Sequence, residues 1–519
     1  MNAETRLPMP LILRLRLQLL LCIHIKQILC GALLLGAISS AQALPDIQQS
    51  PLQPFEPLRF PMGDPLRTLP AQSLQNPAAP VPEDCSAARQ PLVWSEGKIL
   101  TLAEALDRGL CRNPRVQSAW AAIKKSAAGF GQAKSALLPK ASASVARNSQ
   151  RDQYINSPEQ DSYMAVTIGQ LSISYRLLDS GVTNSRSDSA EWDLEAALYA
   201  YDVSLLEALL NTISTYYDAL ANQATAESAS LASKVAQDLY QTALRREKAG
   251  AGNHNETLQA ETAWLRAELD FKKSANEQLK SQALLRYHLG ENTIEKQAFV
   301  LVDEGISNEL STEELDHWYE LALQVHPLLR QSTASVQSAI ARLRATEREH
   351  WPTVDVGATY NRSFTPSATL SGGALQQDEY ILGITLNIPV IFDGFNWNYR
   401  ILEARSQLEQ AQSDATEVQS RILGDVTRGY HDLRTLQSSL ETTAQLQSAA
   451  EASHQSALNR LKRGAADISE VLNAQKALSD ARRDRIQNLS NWRAARLKLR
   501  VQTGILERLA QQHSTSALQ

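Results

Sequence analysis

The sequence predicts an α+β membrane protein made of one unit used twice, each unit supplying two transmembrane β-strands and a long α-helical hairpin. Three observations lead there. Sequence landmarks recur at a fixed offset. Apolar and polar residues alternate over stretches of about ten residues, long enough for a strand to cross a bilayer. Runs without glycine or proline far exceed an ordinary globular helix.

In chain order, residues 1–43 read as a secretory signal. Arg6, Arg14, Arg16 and Lys26 precede an apolar run from Ile28 to Ile38, and Ala41-Gln42-Ala43 supplies a small-residue cleavage site after Ala43. Cys30 follows the bulky Leu29 and the apolar run continues past it, which argues against lipid attachment there. Residues 44–98 form a linker whose prolines, from Pro45 to Pro82, prevent regular pairing. Cleavage would leave Cys85 and Cys111. In an oxidising compartment the two favour a disulfide pinning the linker to the first helix; two free thiols are the alternative.

Two units follow, residues 99–290 and 314–504, separated by a linker at 291–313 and followed by a tail at 505–519. Asn113-Pro114 corresponds to His326-Pro327, Leu138-Pro139 to Trp351-Pro352, and Tyr217 to Tyr430, all at an offset of 213. Gly250 corresponds to Gly464 and Gly290 to Gly504 at 214, so one inserted residue reconciles the set. Each unit opens with a helix, Leu102 to Leu138 and Leu315 to Trp351, ended by Pro139 and Pro352.

Alternation comes next. Val354, Val356, Ala358, Tyr360 and Phe364 share one face, with Asp355, Gly357, Thr359, Asn361 and Ser363 opposite. A second run places Tyr380, Leu382, Ile384, Leu386, Ile388, Val390 and Phe392 together, and the first unit does the same with Leu171, Ile173, Tyr175 and Leu177. Polar stretches at Gln150–Gln160 and Thr365–Gln377 read as hairpin loops. No later stretch reaches ~18 consecutive apolar residues, so membrane entry requires a β-barrel. Four strands cannot close one, so the chain must oligomerise.

The longest runs without glycine or proline begin at Val182. From there to Ala249 they give a helix of about 100 Å at 1.5 Å per residue. Leu206, Ile213 and Leu220 mark a seven-residue spacing suited to coiled-coil packing. Phe395–Arg463 matches it, with Gly424 and Gly429 but no proline. Each run turns at a glycine, Gly250/Gly252 or Gly464, and returns as Asn253–Leu289 or Ala465–Thr503.

The formal charge of −5 argues against a nucleic-acid partner. There is no phosphate loop, nucleophile elbow or Cys-x-x-Cys, and Glu347, Glu349 and His350 lack metal-site spacing and read as exposed helix residues. The sequence therefore calls for no catalytic group, no metal and no cofactor. A structural coiled-coil protein of the cell envelope would explain the helices but not the strands.

The duplicated order, the Asn-Pro and Leu-Pro landmarks, Phe392-Asp393-Gly394 at the second strand-to-helix junction and the glycine-marked tips resemble the TolC outer-membrane efflux family, over about Leu100 to Gly504. The first junction departs from it, reading Leu178-Asp179-Ser180-Gly181. The resemblance implies a homotrimer whose twelve-stranded barrel lies in outer-membrane lipid and continues as an α-helical barrel through the periplasm. It implies a passive duct that docks onto a periplasmic adaptor and an inner-membrane transporter. The region from Cys85 to Cys111 and Ala119-Trp120-Ala121-Ala122 are similar to the CyaE-like branch. That points to type I secretion of a protein through an ABC transporter; small-molecule efflux with an RND pump is the competing expectation.

By the same resemblance Gly464, Asp467, Glu470 and Asn473 fall in the family's periplasmic tip motif, where acidic side chains ring a closed aperture. Glu470 matches one acidic position, and Asn473 stands where a second carboxylate is expected. Gly250 and Glu256 are the counterparts in the first unit. Arg460, Lys462 and Arg463 are then expected to hold the tip closed or to meet the adaptor; the alternative for each is a solvated helix charge.

Overall fold

The structure is a computed structural model that describes residues 99–153, 155, 162–291, 299–302, 314–368, 373–389 and 393–504, together with 64, 66 and 68. By contacts the chain divides into two compact parts, Met1–Gly63 and Asp64–Gln519, and every described residue, including both repeat units, lies in the second part. The expected signal with its cleavage after Ala43, Cys85 and the tail at 505–519 lie outside the described residues, as does nearly all of the linker at 44–98.

The first unit runs β1 (Ile99–Leu100), α1 (Leu102–Arg112), α2 (Pro114–Ser135), β2 (Lys140–Asp152), β3 (Ser162–Leu178), α3 (Val182–Lys248) and α4 (His254–His288). The second runs β4 (Val300–Leu301), α5 (Leu315–Val325), α6 (Pro327–Arg348), β5 (Thr353–Ala368), β6 (Gly373–Asn387), α7 (Asn396–Lys462) and α8 (Ile468–Gln502). The helices correspond in length: α1 and α5 have 11 residues, α2 and α6 22, α3 and α7 67, α4 and α8 35.

The single opening helix expected in each unit is two helices. Pro114 and Pro327 force the preceding residue out of helical geometry, and Asn113 and His326 sit at ψ 123° and 120°. Each of these residues also caps the next helix. Asn113 Oδ1 accepts from the Arg115 amide at 2.9 Å, and His326 Nδ1 accepts from the Leu328 amide at 3.1 Å. An accepting imidazole must be neutral. Burial pushes the His326 pKa down to about 4, against a smaller upward pull from Asp425. The unfolded chain therefore binds a proton that the folded chain refuses between about pH 6.5 and pH 4. Stability should fall by roughly 1.4 kcal/mol per pH unit per chain as pH drops through that window. His326→Asn, the residue the first unit uses, should flatten this slope. An acid-unfolding midpoint unchanged by the substitution would count against it.

Four strands form one antiparallel sheet in the order β2-β3-β5-β6, leaving β2 and β6 at open edges. The register aligns the alternation across strands. Ala143, Leu171, Tyr360 and Tyr380 lie in one row, and Ala141, Ile173, Ala358 and Leu382 in the next. The apolar side chains of this face stand exposed, Leu382 by 85% and Ile384 by 76%. The opposite face is tied by polar contacts: Ser142 to Ser172, Arg176 and Asn387 to Asp355, and Asn361 to Glu379.

The hairpin loops are shorter than the polar composition suggests. β2 extends to Asp152, β5 to Ala368, and β6 begins at Gly373, so most of Thr365–Gln377 is strand. Pro366 is accommodated because pairing shifts register between Thr365 and Ala368. At its other end β6 stops at Asn387, two residues before Pro389, so Ile388 lies past the strand, and Val390 and Phe392 lie outside the described residues.

Both strand-to-helix junctions use two successive residues at positive φ, Ser180-Gly181 and Gly394-Phe395. The departure seen in the sequence is thus a swap in the order of glycine and non-glycine within the same turn. Asp179 and Asp393 brace these turns, accepting from the amides of Thr183 and Trp397. Nearby, Glu349 is no free surface charge: its side chain is mostly covered and pairs with Arg186 and Arg400.

Midway along the helices lies the main core. Leu206 and Ile213 of the seven-residue spacing are buried there with Tyr216, Leu285, Leu289, Leu497 and Val501, and Leu220 packs against them. The expected inter-unit linker enters this core as β4, which pairs in parallel with β1. Side chains serve the ladder's outer groups: Gln223 donates to and accepts from Leu301, and Tyr216 donates to the Val302 carbonyl at 2.8 Å. Tyr216→Phe should cost about 1 kcal/mol, measurable by thermal unfolding of the assembled protein. Cys111 of α1 is disulfide-bonded.

Candidate functional site

The two glycine-marked turns lie side by side at the ends of the helical hairpins. Leu239, Ala457 and Val471 pack together, and Ala243, Ala260 and Ile468 form an adjoining cluster, so α3, α4, α7 and α8 meet there. Both turns close alike. The Gly250 and Gly464 amides donate to Glu247 O and Leu461 O, and the next amides, Ala251 and Ala465, donate to Arg246 O and Arg460 O. Gly250 and Gly464 sit at φ +71° and +73°, the left-handed geometry that ends a helix at low cost only for glycine.

Glu256 and Glu470 occupy the same place, the third residue of α4 and of α8. There the unsatisfied amides of a helix start favour a carboxylate. Their surroundings differ. Arg460 Nη1 donates to Glu470 Oε1 at 2.6 Å while its Nη2 donates to the Ala465 carbonyl at 3.1 Å, so one guanidinium ties both sides of the second turn. The pair is half-exposed, which limits it to well under about 1 kcal/mol. In the first turn the tie is His254 Nδ1 to Glu247 Oε1 at 2.8 Å, and Asn253 caps α4 by accepting from the Asn255 amide. Asp467 flanks α8 without a side-chain capping bond and is exposed, as are Asn473, Lys462 and Arg463; Arg463 Nε donates to Asn459 O.

The residue list read from the sequence misses what lies between the hairpins. A groove of about 500 Å³ runs between α3 and α7, with Val235, Leu239, Leu458 and Leu461 as its apolar floor and Asp238, Thr242, Arg246 and Lys462 on its rim. Val235, Leu239, Thr242 and Arg246 follow helical i, i+4, i+7, i+11 spacing, a signal present in the sequence but not distinctive within so long a helix. Among the described residues no helix is long and apolar enough to cross a membrane.

Comparison with known proteins agrees with this architecture. The sequence pattern of the family described as outer membrane efflux protein matches residues 105–291 and 318–504. Protein CyaE of Bordetella pertussis is 27% identical over 413 residues, covering 79% of this chain and 85% of that protein. Nodulation protein T of Rhizobium leguminosarum bv. viciae is 24% identical over 414 residues, covering 75% and 78%. The crystal structure of the Campylobacter jejuni CmeC outer membrane channel superposes with a TM-score of 0.67 at 17% identity, over 78% of this chain and 85% of that one. With both matched segments spanning opening helices, a strand pair and a helical hairpin, the chain belongs to the outer membrane efflux protein family, transport proteins of the Gram-negative outer membrane that extend into the periplasm.

Proposed function

We propose that the chain is one third of a homotrimeric export duct, a twelve-stranded β-barrel in the outer membrane continued by a helical barrel through the periplasm. One observation carries this reading: a four-stranded sheet with two open edges and one exposed face that is apolar through the rows of Leu386, Ile384, Leu382 and Tyr380. Unpaired strand edges are not tolerated in hydrocarbon, so the edges of β2 and β6 must meet in neighbouring copies. The matched helix lengths favour an internal duplication with a pseudo-two-fold relation between units. A heat-modifiable, detergent-dependent trimer that conducts ions across planar bilayers is the expected result; a water-soluble monomer after signal removal would overturn it.

The duct is passive and takes its energy from partners. The similarity to CyaE favours type I secretion of a protein, with an inner-membrane ABC transporter and a periplasmic adaptor. The groove between α3 and α7, apolar below and carrying Arg246, Lys462 and Asp238 at its rim, suits an amphipathic helical segment of the adaptor. Lys462 and Arg463 belong to that docking surface, and Arg460 to the closure of the turn.

Glu256 and Glu470, three copies of each, line the periplasmic aperture and concentrate negative potential there. The Arg460–Glu470 pair sets opposite signs for two substitutions. Glu470→Ala should lower cation selectivity and leave Arg460 to favour anions. Arg460→Ala should free the carboxylate and raise cation selectivity. Reversal potentials across a salt gradient read both, and equal shifts in one direction would remove Glu470 from the aperture.

A further inference from the structure

The exposed face of the sheet does not stay apolar to its hairpin end. Moving away from the helices, the rows that include Leu386, Ile384, Leu382 and Tyr380 are apolar, and Tyr360 stacks on Tyr380 with ring centroids 4.9 Å apart. The next row is Val145, Gly169, Arg362 and Asp378, and the one after it Arg147, Thr167, Phe364 and Gln376. Arg151 follows on the same face of β2, paired with Tyr163. Among the described residues this face of the region carries three arginines against one carboxylate, and all three arginines are exposed.

We propose that Arg147, Arg151 and Arg362 bind the phosphate groups of phosphorylated lipid headgroups in the outer leaflet. The proposal rests on the barrel reading, under which this face meets lipid and the hairpin end lies outside the cell. Cations placed just beyond the last apolar row sit at headgroup depth, and the paired tyrosines mark the boundary, as aromatic residues do at membrane interfaces. Guanidinium groups bind phosphate through parallel N–H bonds. Arg147 and Arg362 stand one row and two strands apart, about 12 Å between Cα atoms at ordinary sheet spacings, so both side chains reach one headgroup. Gly169 lies between them in the row of Arg362. A Cβ added there would come within 4 Å only of the Arg362 carbonyl oxygen, which leaves the sheet surface bare for a ligand. Arg362 faces Asp378 at 3.7 Å, but Asp378 also accepts from Tyr360 Oη at 2.9 Å and so keeps a partner when the guanidinium turns outward.

The test reconstitutes the full-length trimer into phosphatidylcholine vesicles carrying either bis-phosphorylated lipid A or its dephosphorylated form, and quantifies the glycolipid retained after detergent extraction. The wild type should retain the phosphorylated form about tenfold better, the equivalent of one charge-assisted contact. Arg147→Gln, Arg151→Gln and Arg362→Gln together should erase that preference, and the three lysine substitutions should preserve most of it. Equal retention of both lipids by the wild type, or an unchanged preference in the folded glutamine variant, overturns the proposal and leaves the channel reading standing. A wild-type chain that does not insert into vesicles at all overturns both.

Discussion

Gly290→Ala should sharply lower the yield and melting temperature of the assembled protein, while Gly250→Ala should be nearly silent. Both residues sit at positive φ, +69° and +71°, so backbone strain alone predicts the same cost of about 1 kcal/mol for each. Their surroundings separate them. A Cβ on Gly250 meets nothing within 4 Å, whereas one on Gly290 would lie 2.3 Å from the Arg112 carbonyl oxygen. That oxygen belongs to the break between α1 and α2, where Arg112 also holds Glu291 in a largely buried pair at 2.8 Å. Neither backbone can retreat without breaking the other's contacts, so roughly 3–5 kcal/mol is expected from the overlap and the lost pair. Gly504 repeats the arrangement less severely, 3.0 Å from the His326 Cα. Thermal melting of the three alanine variants should rank them 290, 504, 250; a melting temperature for Gly290→Ala equal to that of Gly250→Ala would refute the packing argument.

The second large effect concerns the sheet. Leu382→Arg should prevent membrane insertion, and Thr385→Arg should not. The two positions are three residues apart on β6 and point to opposite faces, as period two requires. If the apolar face meets lipid as proposed, a charge at the middle of it costs about 2–4 kcal/mol, and the proposed trimer bears it three times. On the opposite face an added arginine meets water and lies in the row of Arg176 and Asp355, where charge is already accommodated. The variants are compared by the fraction recovered as heat-modifiable oligomer from outer-membrane extracts. Equal recovery would mean the apolar face of the sheet does not meet lipid.

The long helices were the most legible part of the chain, because freedom from proline over 67 residues, and from glycine as well in the first, leaves the backbone little else to do. The observed ends, Val182–Lys248 and Asn396–Lys462, fall within one residue of that boundary. Strand position was legible for the same reason that register is strict: one face is apolar. Loop extents were not, since the hairpin residues Gln376 and Gln377 are polar yet fully paired with β5, and composition does not distinguish a wet strand from a turn. The break at Asn113 was written in the sequence as Asn-Pro, but Leu102 to Leu138 is apolar enough to read through it. At the tips the glycines and Glu470 were visible. The bond from Arg460 to Glu470 was not, because it joins residues ten apart across a turn whose geometry depends on a single φ. The groove was harder still, since its two walls come from helices more than two hundred residues apart.

The equal lengths of α3 and α7, and of α4 and α8, have a consequence for how such a protein can change over time. A residue gained in one helix displaces its end by about 1.5 Å and rotates everything beyond it by about 100°. To reach a deeper inner surface, the chain would need insertions of whole heptads in all four helices at once, outgoing and returning, in both halves. A single insertion leaves one tip proud of its neighbour and tears apart the cluster of Leu239, Ala457 and Val471. The helical part is therefore a ruler with coupled graduations, whose reach is inherited as a unit, while the strands and tips remain free to diverge residue by residue.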